Sequence, residues 1–379
     1  MSTSPLRELV LYFLKLGTIG FGGPAALVGY MRRDLVDERK VLDEPTYNLS
    51  LALAQIMPGP LAAQTAMAIG YFQHGVLGAT LVGLAFILPS FLMVLALSWL
   101  YVAYGGLPWM QALFYGIGAA VIAIIAIAAY RLGRGTNKRD PLLWAIFAAL
   151  AIGTVWAQAE LAELFLAAGA LVVLVRARPR FIKLPSLSAI VPLAALLPAA
   201  ATWTGNVLVD LLAFFAKAGL FVFGSGLAIV PFLHQGVVDQ FGWLTERQFL
   251  DAVAVALITP GPVVITVAFI GYLVAGSAGA TVAAIGMFLP VYLLTILPAP
   301  WFKRHRDNPQ LRAFVAGCTA AASGAIAGAV LVLARRAILD LPTAAIAAVS
   351  LLLLWRLRIP EVIVVAAAGA VGLALARLG

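Results

Sequence analysis

Lys15-Leu16-Gly17-Thr18-Ile19-Gly20-Phe21-Gly22-Gly23-Pro24 returns later in the chain as Lys217-Ala218-Gly219-Leu220-Phe221-Val222-Phe223-Gly224-Ser225-Gly226. The displacement is 202 residues, and it also lays Pro58-Gly59-Pro60 on Pro260-Gly261-Pro262. One residue is then lost, and the register continues at 201: Ile69-Gly70-Tyr71 meets Ile270-Gly271-Tyr272, Leu88-Pro89 meets Leu289-Pro290, Gly116 meets Gly317 and Arg134 meets Arg335. Any one match could arise by chance, but an ordered set with a single gap marks a tandem duplication. Residues 1–178 read as a first membrane repeat, 207–379 as a second, and 179–206 as their connection.

Of the 379 residues, 63% are apolar and 11% are charged. Disorder needs the opposite balance, and a soluble domain carries about a quarter charged residues, so both are excluded. Apolar segments follow one another at 9–31, 49–72, 75–104, 112–130 and onward to 359–376. They show no strand alternation, which favours membrane helices over a barrel. The expectation is an all-α polytopic integral membrane protein. Met1–Pro5 is too short and polar for a cleaved signal. The net charge of +9 contains no basic run suited to nucleic acid. Cys318 is the single cysteine, and His74, His234 and His305 lie far apart. No disulfide, metal or cofactor is expected, and Cys318 reads as a structural thiol.

Basic residues orient the chain. If Arg7 and the Arg32–Lys40 stretch are cytoplasmic, segments 9–31 and 49–72 each enter and return on one side, and 187–203 crosses once. The second repeat is then inverted relative to the first. Apart from the embedded Lys15 and Lys217, only Arg247, Arg335, Arg336 and Arg377 fall outside. Treating those segments as full crossings fits less well. The expected architecture is therefore a tandem inverted-topology repeat, with broken or re-entrant helices at the Phe-Gly-Gly-Pro and Pro-Gly-Pro motifs.

Gly22-Gly23-Pro24 and Pro58-Gly59-Pro60 lie inside apolar segments. Glycine frees the backbone and proline suits the first turn of a helix, so each motif reads as a break followed by a new half-helix. Such an N-terminus presents free N–H groups and partial positive charge to an anion. Gly224-Ser225-Gly226 and Pro260-Gly261-Pro262 are the second copies, and Thr259 adds a hydroxyl beside the latter. Lys15 and Lys217 either snorkel to headgroups or supply two positive charges to a central cavity; their recurrence favours the cavity. Gln55 and Gln64 flank the first Pro-Gly-Pro and either bind substrate oxygens or tie helices together. Arg32 and Arg33 begin a charged amphipathic stretch reaching Glu44. It is expected to lie at the membrane surface with internal ion pairs, and those two arginines are candidates for the anion's entrance. His74 and His234 read as interfacial. Asp210 and Glu361 are taken as the acidic residues within apolar segments, both near segment starts, which argues against a cation pump built on intramembrane carboxylates. No nucleotide loop or nucleophile–base pair is present, so the chain is not expected to be an enzyme or an ATP-driven pump.

Phe21-Gly22-Gly23-Pro24-Ala25, Gly29-Tyr30-Met31-Arg32-Arg33 and Gln55-x-x-Pro58-Gly59-Pro60 with Gln64 resemble the amino-terminal domain of chromate ion transporters. Phe223 to Gly226, Val230-Pro231 and Thr259-Pro260-Gly261-Pro262 resemble the carboxy-terminal domain. The likeness covers both halves, as in long-chain, two-domain members. Leu27 and the Ser225-Gly226 pair depart from the family pattern. The resemblance implies export of chromate across the bacterial inner membrane, chromate resistance, and two homologous domains of opposite orientation. Partners would be chromate, or sulfate as a similar oxyanion, and the lipid bilayer; a homodimer is compatible with the sequence. The alternatives are uptake or exchange of sulfate or another oxyanion, and, in a different class, a membrane enzyme acting on lipid headgroups.

Overall fold

A chain this apolar has to satisfy its backbone N–H and C=O groups within its own segments, and helices do so locally. The computed structural model describes residues 5–104, 107–157, 162–177, 205–222, 226–305, 308–338, 340–357 and 359–378, and these residues are helical with no strand. In the first half the helices are α1 (Leu6–Ile19), α2 (Pro24–Arg32), α3 (Glu44–Ile56), α4 (Leu61–Tyr104), α5 (Pro108–Asn137), α6 (Pro141–Ala157) and α7 (Ala162–Arg176). In the second they are α8 (Val207–Leu220), α9 (Val230–His234), α10 (Glu246–Ile258), α11 (Thr266–Ile296), α12 (Ala299–His305), α13 (Pro309–Ala337), α14 (Leu341–Leu352) and α15 (Glu361–Leu378). The protein is an all-α polytopic membrane protein. The expected crossing at 187–203 and the residues Phe223, Gly224 and Ser225 lie outside the described residues.

Helix boundaries repeat between the halves. α2 runs into a π-helical turn, Arg33–Glu38, and α9 into another, Gln235–Gln240. α4 is non-helical at His74 and Gly75 (φ 63°, ψ −151°), and α11 at Ala275 and Gly276 (φ 59°, ψ −151°). At these points the chain doubles back. A Cβ on Gly70 would collide with the backbone of Gly78, and one on Gly271 with that of Gly279, so the two arms of each hairpin touch through glycine. The apparent 44-residue helix α4 is thus a short arm followed by a long one. The long arm, α5, the corresponding part of α11 and α13 have the length and hydropathy to cross a bilayer.

The halves interlock. α1 packs on α4 and α8 on α11, each inside its own half. In contrast α5 packs on α14 and α15, while α13 packs on α6 and α7. Small residues permit that exchange: Gly116 lies against the backbone of Ala368, and Gly317 against that of Ala168. Each repeat therefore completes its core with helices of the other. Cys318 is buried at this crossing, as expected for a structural thiol.

Candidate functional site

The first break separates α1 from α2 at Gly20 to Gly23. Gly22 takes φ 115°, a conformation open to glycine and strained for other residues. Gly23 is the N-cap of α2, Pro24 occupies the first turn, and no side chain caps the end. The second break separates α3 from α4 at Met57 to Pro60, with Gly59 at φ 143°. In the second half Gly261 holds φ 98° after Thr259, the residue that closes α10.

These loops are joined across the halves. The Gly59 amide donates to the Val222 carbonyl at 2.6 Å, and the Gly261 amide donates to the Gly20 carbonyl at 2.9 Å. Each Pro-Gly-Pro loop thus binds the end of the broken helix of the opposite repeat. Ser90 on α4 supports the second junction: its Oγ donates to the Gly17 carbonyl at 3.3 Å and lies against Gly261. Gly226 opens a 3-10 turn, Gly226–Ile229, and packs against Val263 and Val264 just beyond Pro262.

Lys15 is exposed on α1 and lines a cleft of about 460 Å³ together with Tyr12, Phe21, Tyr30, Arg33, Asp34 and Arg39. The cleft reaches the first break through Ile19 and Gly20. Tyr12 Oη donates to Asp34 Oδ2 at 3.3 Å, and the Arg39 guanidinium lies 5.5 Å from the Tyr12 ring centre. The chain beyond α2 therefore comes back alongside α1. Arg33 pairs with Asp34 at 2.8 Å, within the cleft; Arg32 pairs with Glu44 at 2.9 Å, and is not among its lining residues. The charged stretch carries the ion pairs expected of it, in a π-helical turn. Asp43 caps α3 by accepting from the Thr46 amide at 2.8 Å, and bonds to the Thr46 backbone and hydroxyl hold its carboxyl below the ordinary carboxylate range.

Other expected residues are placed differently. Lys217 is half-buried in the last turn of α8 and does not line the Lys15 cleft. Gln55 is exposed. Gln64 is fully buried, and its Nε2 donates to the Pro58 carbonyl at 2.8 Å, so its amide ties the first loop. Its Oε1 has no hydrogen-bond partner among the described residues. Thr259 Oγ1 donates to the Val255 carbonyl at 2.7 Å, which commits its hydrogen to its own helix rather than to a ligand. His234, at the end of α9, is buried and bonded to Glu246 Oε2 at 2.8 Å.

Asp251 corrects the sequence reading, and Glu361, at the start of α15 as expected, gains a neighbour. Asp251, on α10, is 2% exposed and accepts from Tyr101 Oη at 2.7 Å. It escaped notice because it stands near the start of its apolar segment; the signal available was its pairing with apolar Leu49 in the repeat register. Glu361, on α15, brings its carboxylate to Gly23, with both oxygens 4.0 Å from where a Cβ on that glycine would sit. An acid therefore adjoins the first break.

Residues 7–175 and 209–373 match the chromate transporter family. The chain is 56% identical over 372 residues to a probable chromate transport protein of Synechococcus elongatus, covering 97% of this chain and 95% of that protein. It is 56% identical over 374 residues to a chromate transport protein of Cupriavidus metallidurans, covering 98% and 93%. A chromate transport protein of Pseudomonas aeruginosa is 34% identical over 383 residues, covering 96% and 91%. No solved structure matches the chain. With two broken-helix halves bound to each other at their glycine loops and a family match to both, the chain belongs to the chromate transporter family.

Proposed function

We propose that the protein is a secondary transporter that exports chromate across the bacterial inner membrane, with the amino terminus in the cytoplasm and the second repeat inverted relative to the first. The observation that carries this reading is the uncapped start of α2 beside a cleft bearing Lys15, Arg33 and Arg39. Backbone N–H groups at a helix start and nearby cations favour an oxyanion. Asp34 in the same cleft and Glu361 at Gly23 offset part of that positive charge. Incomplete compensation keeps a dianion releasable.

In this reading the breaks at Gly22, Gly23 and Pro24, at Pro58 to Pro60 and at Pro260 to Pro262, together with the second-copy motif Gly224-Ser225-Gly226, form the substrate site, with Lys15 and Lys217 contributing charge. Gln64 positions the first loop. Rocking of one repeat against the other would alternate access. Outward movement of a dianion is favoured by an inside-negative potential, by about 2.3 kcal/mol per charge per 100 mV. Chromate and sulfate present the same four-oxygen frame, so competition between them measures selectivity.

The test is radiolabelled chromate accumulation in a chromate-sensitive bacterium, with and without the protein and with Lys15→Ala/Lys217→Ala at equal expression. Lower accumulation with the intact protein, lost in the variant, supports export and the lysine role together. Lower accumulation that survives in the variant keeps export and discards the lysines. Unchanged or raised accumulation overturns chromate export and makes sulfate uptake the leading reading.

A further inference from the structure

Asp251 lies five residues into α10, the helix that ends at Thr259 and the second Pro-Gly-Pro loop. At 1.5 Å rise per residue it stands about 12 Å from that loop. It is 2% exposed, and its Oδ2 receives the Tyr101 hydroxyl at 2.7 Å. Tyr101 is walled by Phe114 and Phe269, whose ring centres lie 5.5 and 5.2 Å from its own. The charged and titratable groups facing Asp251 are Tyr101 from α4 and Arg247 one turn earlier on α10. Arg247 is itself bonded to the Gln111 carbonyl at 2.8 Å, at the start of α5.

The duplication supplies an internal control. In the repeat register Asp251 corresponds to Leu49, Tyr101 to Phe302 and Phe269 to Ala68. Leu49, Ala68 and Phe302 pack together in one buried apolar cluster with Leu53 and Ala299. The same place in the fold is therefore filled by buried apolar side chains in one half and by a carboxylate–phenol pair in the other. Packing does not demand the carboxylate. Burying one is costly, and a buried ionisable group in a membrane protein is by default a candidate for function.

We propose that the Asp251–Tyr101 pair is the proton-binding site that couples anion movement to the proton gradient. The inference rests on the oxyanion-transport reading above. A proton from water on one side forms the Asp251 O–H bond, and its release to water on the other side breaks it; no other bond changes. Tyr101 serves both states, since its hydroxyl donates to the carboxylate and can accept from the acid. A proton moving inward and a dianion moving outward both run down an inside-negative potential, so the exchange adds the two driving forces.

The test uses the full chain in proteoliposomes loaded with chromate, with the membrane potential clamped by potassium and valinomycin. Efflux is followed with and without an acidic exterior, for the intact protein and for Tyr101→Phe/Asp251→Leu, which installs the apolar pair of the other repeat. The expected result is acceleration by the acidic exterior in the intact protein and its loss in the variant, which still folds and exchanges chromate for chromate. A variant that keeps the acceleration, or an intact protein that transports without any, overturns the proposal. Should the intact protein move neither chromate nor sulfate, the transport reading falls, and infrared titration of the purified protein decides the proton site separately. A titrating carboxyl band missing from Asp251→Asn supports the site; the same band unchanged in that variant overturns it.

Discussion

The amide of Gly59 donates to the carbonyl of Val222 at 2.6 Å, joining the Pro-Gly-Pro loop of the first repeat to the broken helix of the second. Its counterpart, Gly261 to Gly20 at 2.9 Å, makes the opposite connection. The pair of bonds joins the two halves at their helix breaks, where the proposed rocking would need a hinge. A motion that separates the repeats has to rotate about these bonds or break them.

Gly261→Ala should therefore damage both stability and transport. Its φ of 98° is a strained conformation for alanine, and the added methyl would strike Ser90. The strain alone is worth about 1–3 kcal/mol. Gly153→Ala, on α6, meets nothing within 4 Å and should instead leave stability equal or up to about 1 kcal/mol higher. Thermal unfolding in detergent and chromate flux in vesicles, measured on both variants, check the contrast; equal behaviour would remove the hinge from the account.

Lys15 faces an open cleft with two arginines, so its loss should weaken anion capture more than it slows turnover. Removal of one charge-assisted contact is worth about 1.5–3 kcal/mol, roughly ten- to a hundredfold in apparent affinity. The prediction is a raised KM for chromate in Lys15→Ala, at the lower end of that range because the cleft admits water, with partial recovery in Lys15→Arg. An unchanged KM with a lowered maximal rate would place Lys15 in the conformational step instead.

The proposed inversion of the second repeat makes a topological prediction. Glu38 and Gln240 occupy equivalent positions at the ends of the two π-helical turns, and both are exposed. In a Cys318→Ser background, Glu38→Cys should label with a membrane-impermeant maleimide from the cytoplasmic side and Gln240→Cys from the opposite side. Cys318 is buried, so its replacement by serine serves to remove slow background. Labelling of both from one side would make the repeats parallel.

Acid should loosen the start of α3. The folded carboxyl of Asp43 is held below its unfolded value, so its contribution is present above the unfolded pKa, about 3.9, and is lost as pH falls through the lower folded one. The cap itself is worth about 1 kcal/mol. The fall in Tm between about pH 5 and pH 3 should then be smaller in Asp43→Asn, which caps without titrating. Asp340, held low by the Tyr115 hydroxyl at 2.5 Å and by Thr343, should contribute in the same sense at α14.

Membrane helices, the duplication and the places where helices break were legible from the sequence. Each follows from local chemistry: apolar runs must be helical in lipid, while glycine and proline decide where a helix stops. The Phe-Gly-Gly-Pro and Pro-Gly-Pro motifs therefore announce α2 and α4 without knowledge of their neighbours. The folding back at Gly75 and Gly276 was visible only as a gap between apolar segments, because nothing in the short range says which way the next arm turns.

Tertiary structure alone decided what those breaks touch. Gly59 and Val222 are remote in sequence, and their bond depends on how two halves dock. The same holds for α5 and α13, which pack on helices of the opposite half. Gln64 is equally suited by sequence to substrate oxygens or to tying helices, and only the fold puts its amide on Pro58; Thr259 reads as a site hydroxyl, and only the fold shows it donating to Val255. Asp251 shows the limit most plainly. Its residue type was in the sequence, but burial is a property of the surface that neighbouring helices cover, and only packing against Tyr101 turns an ordinary carboxylate near a helix start into a buried one.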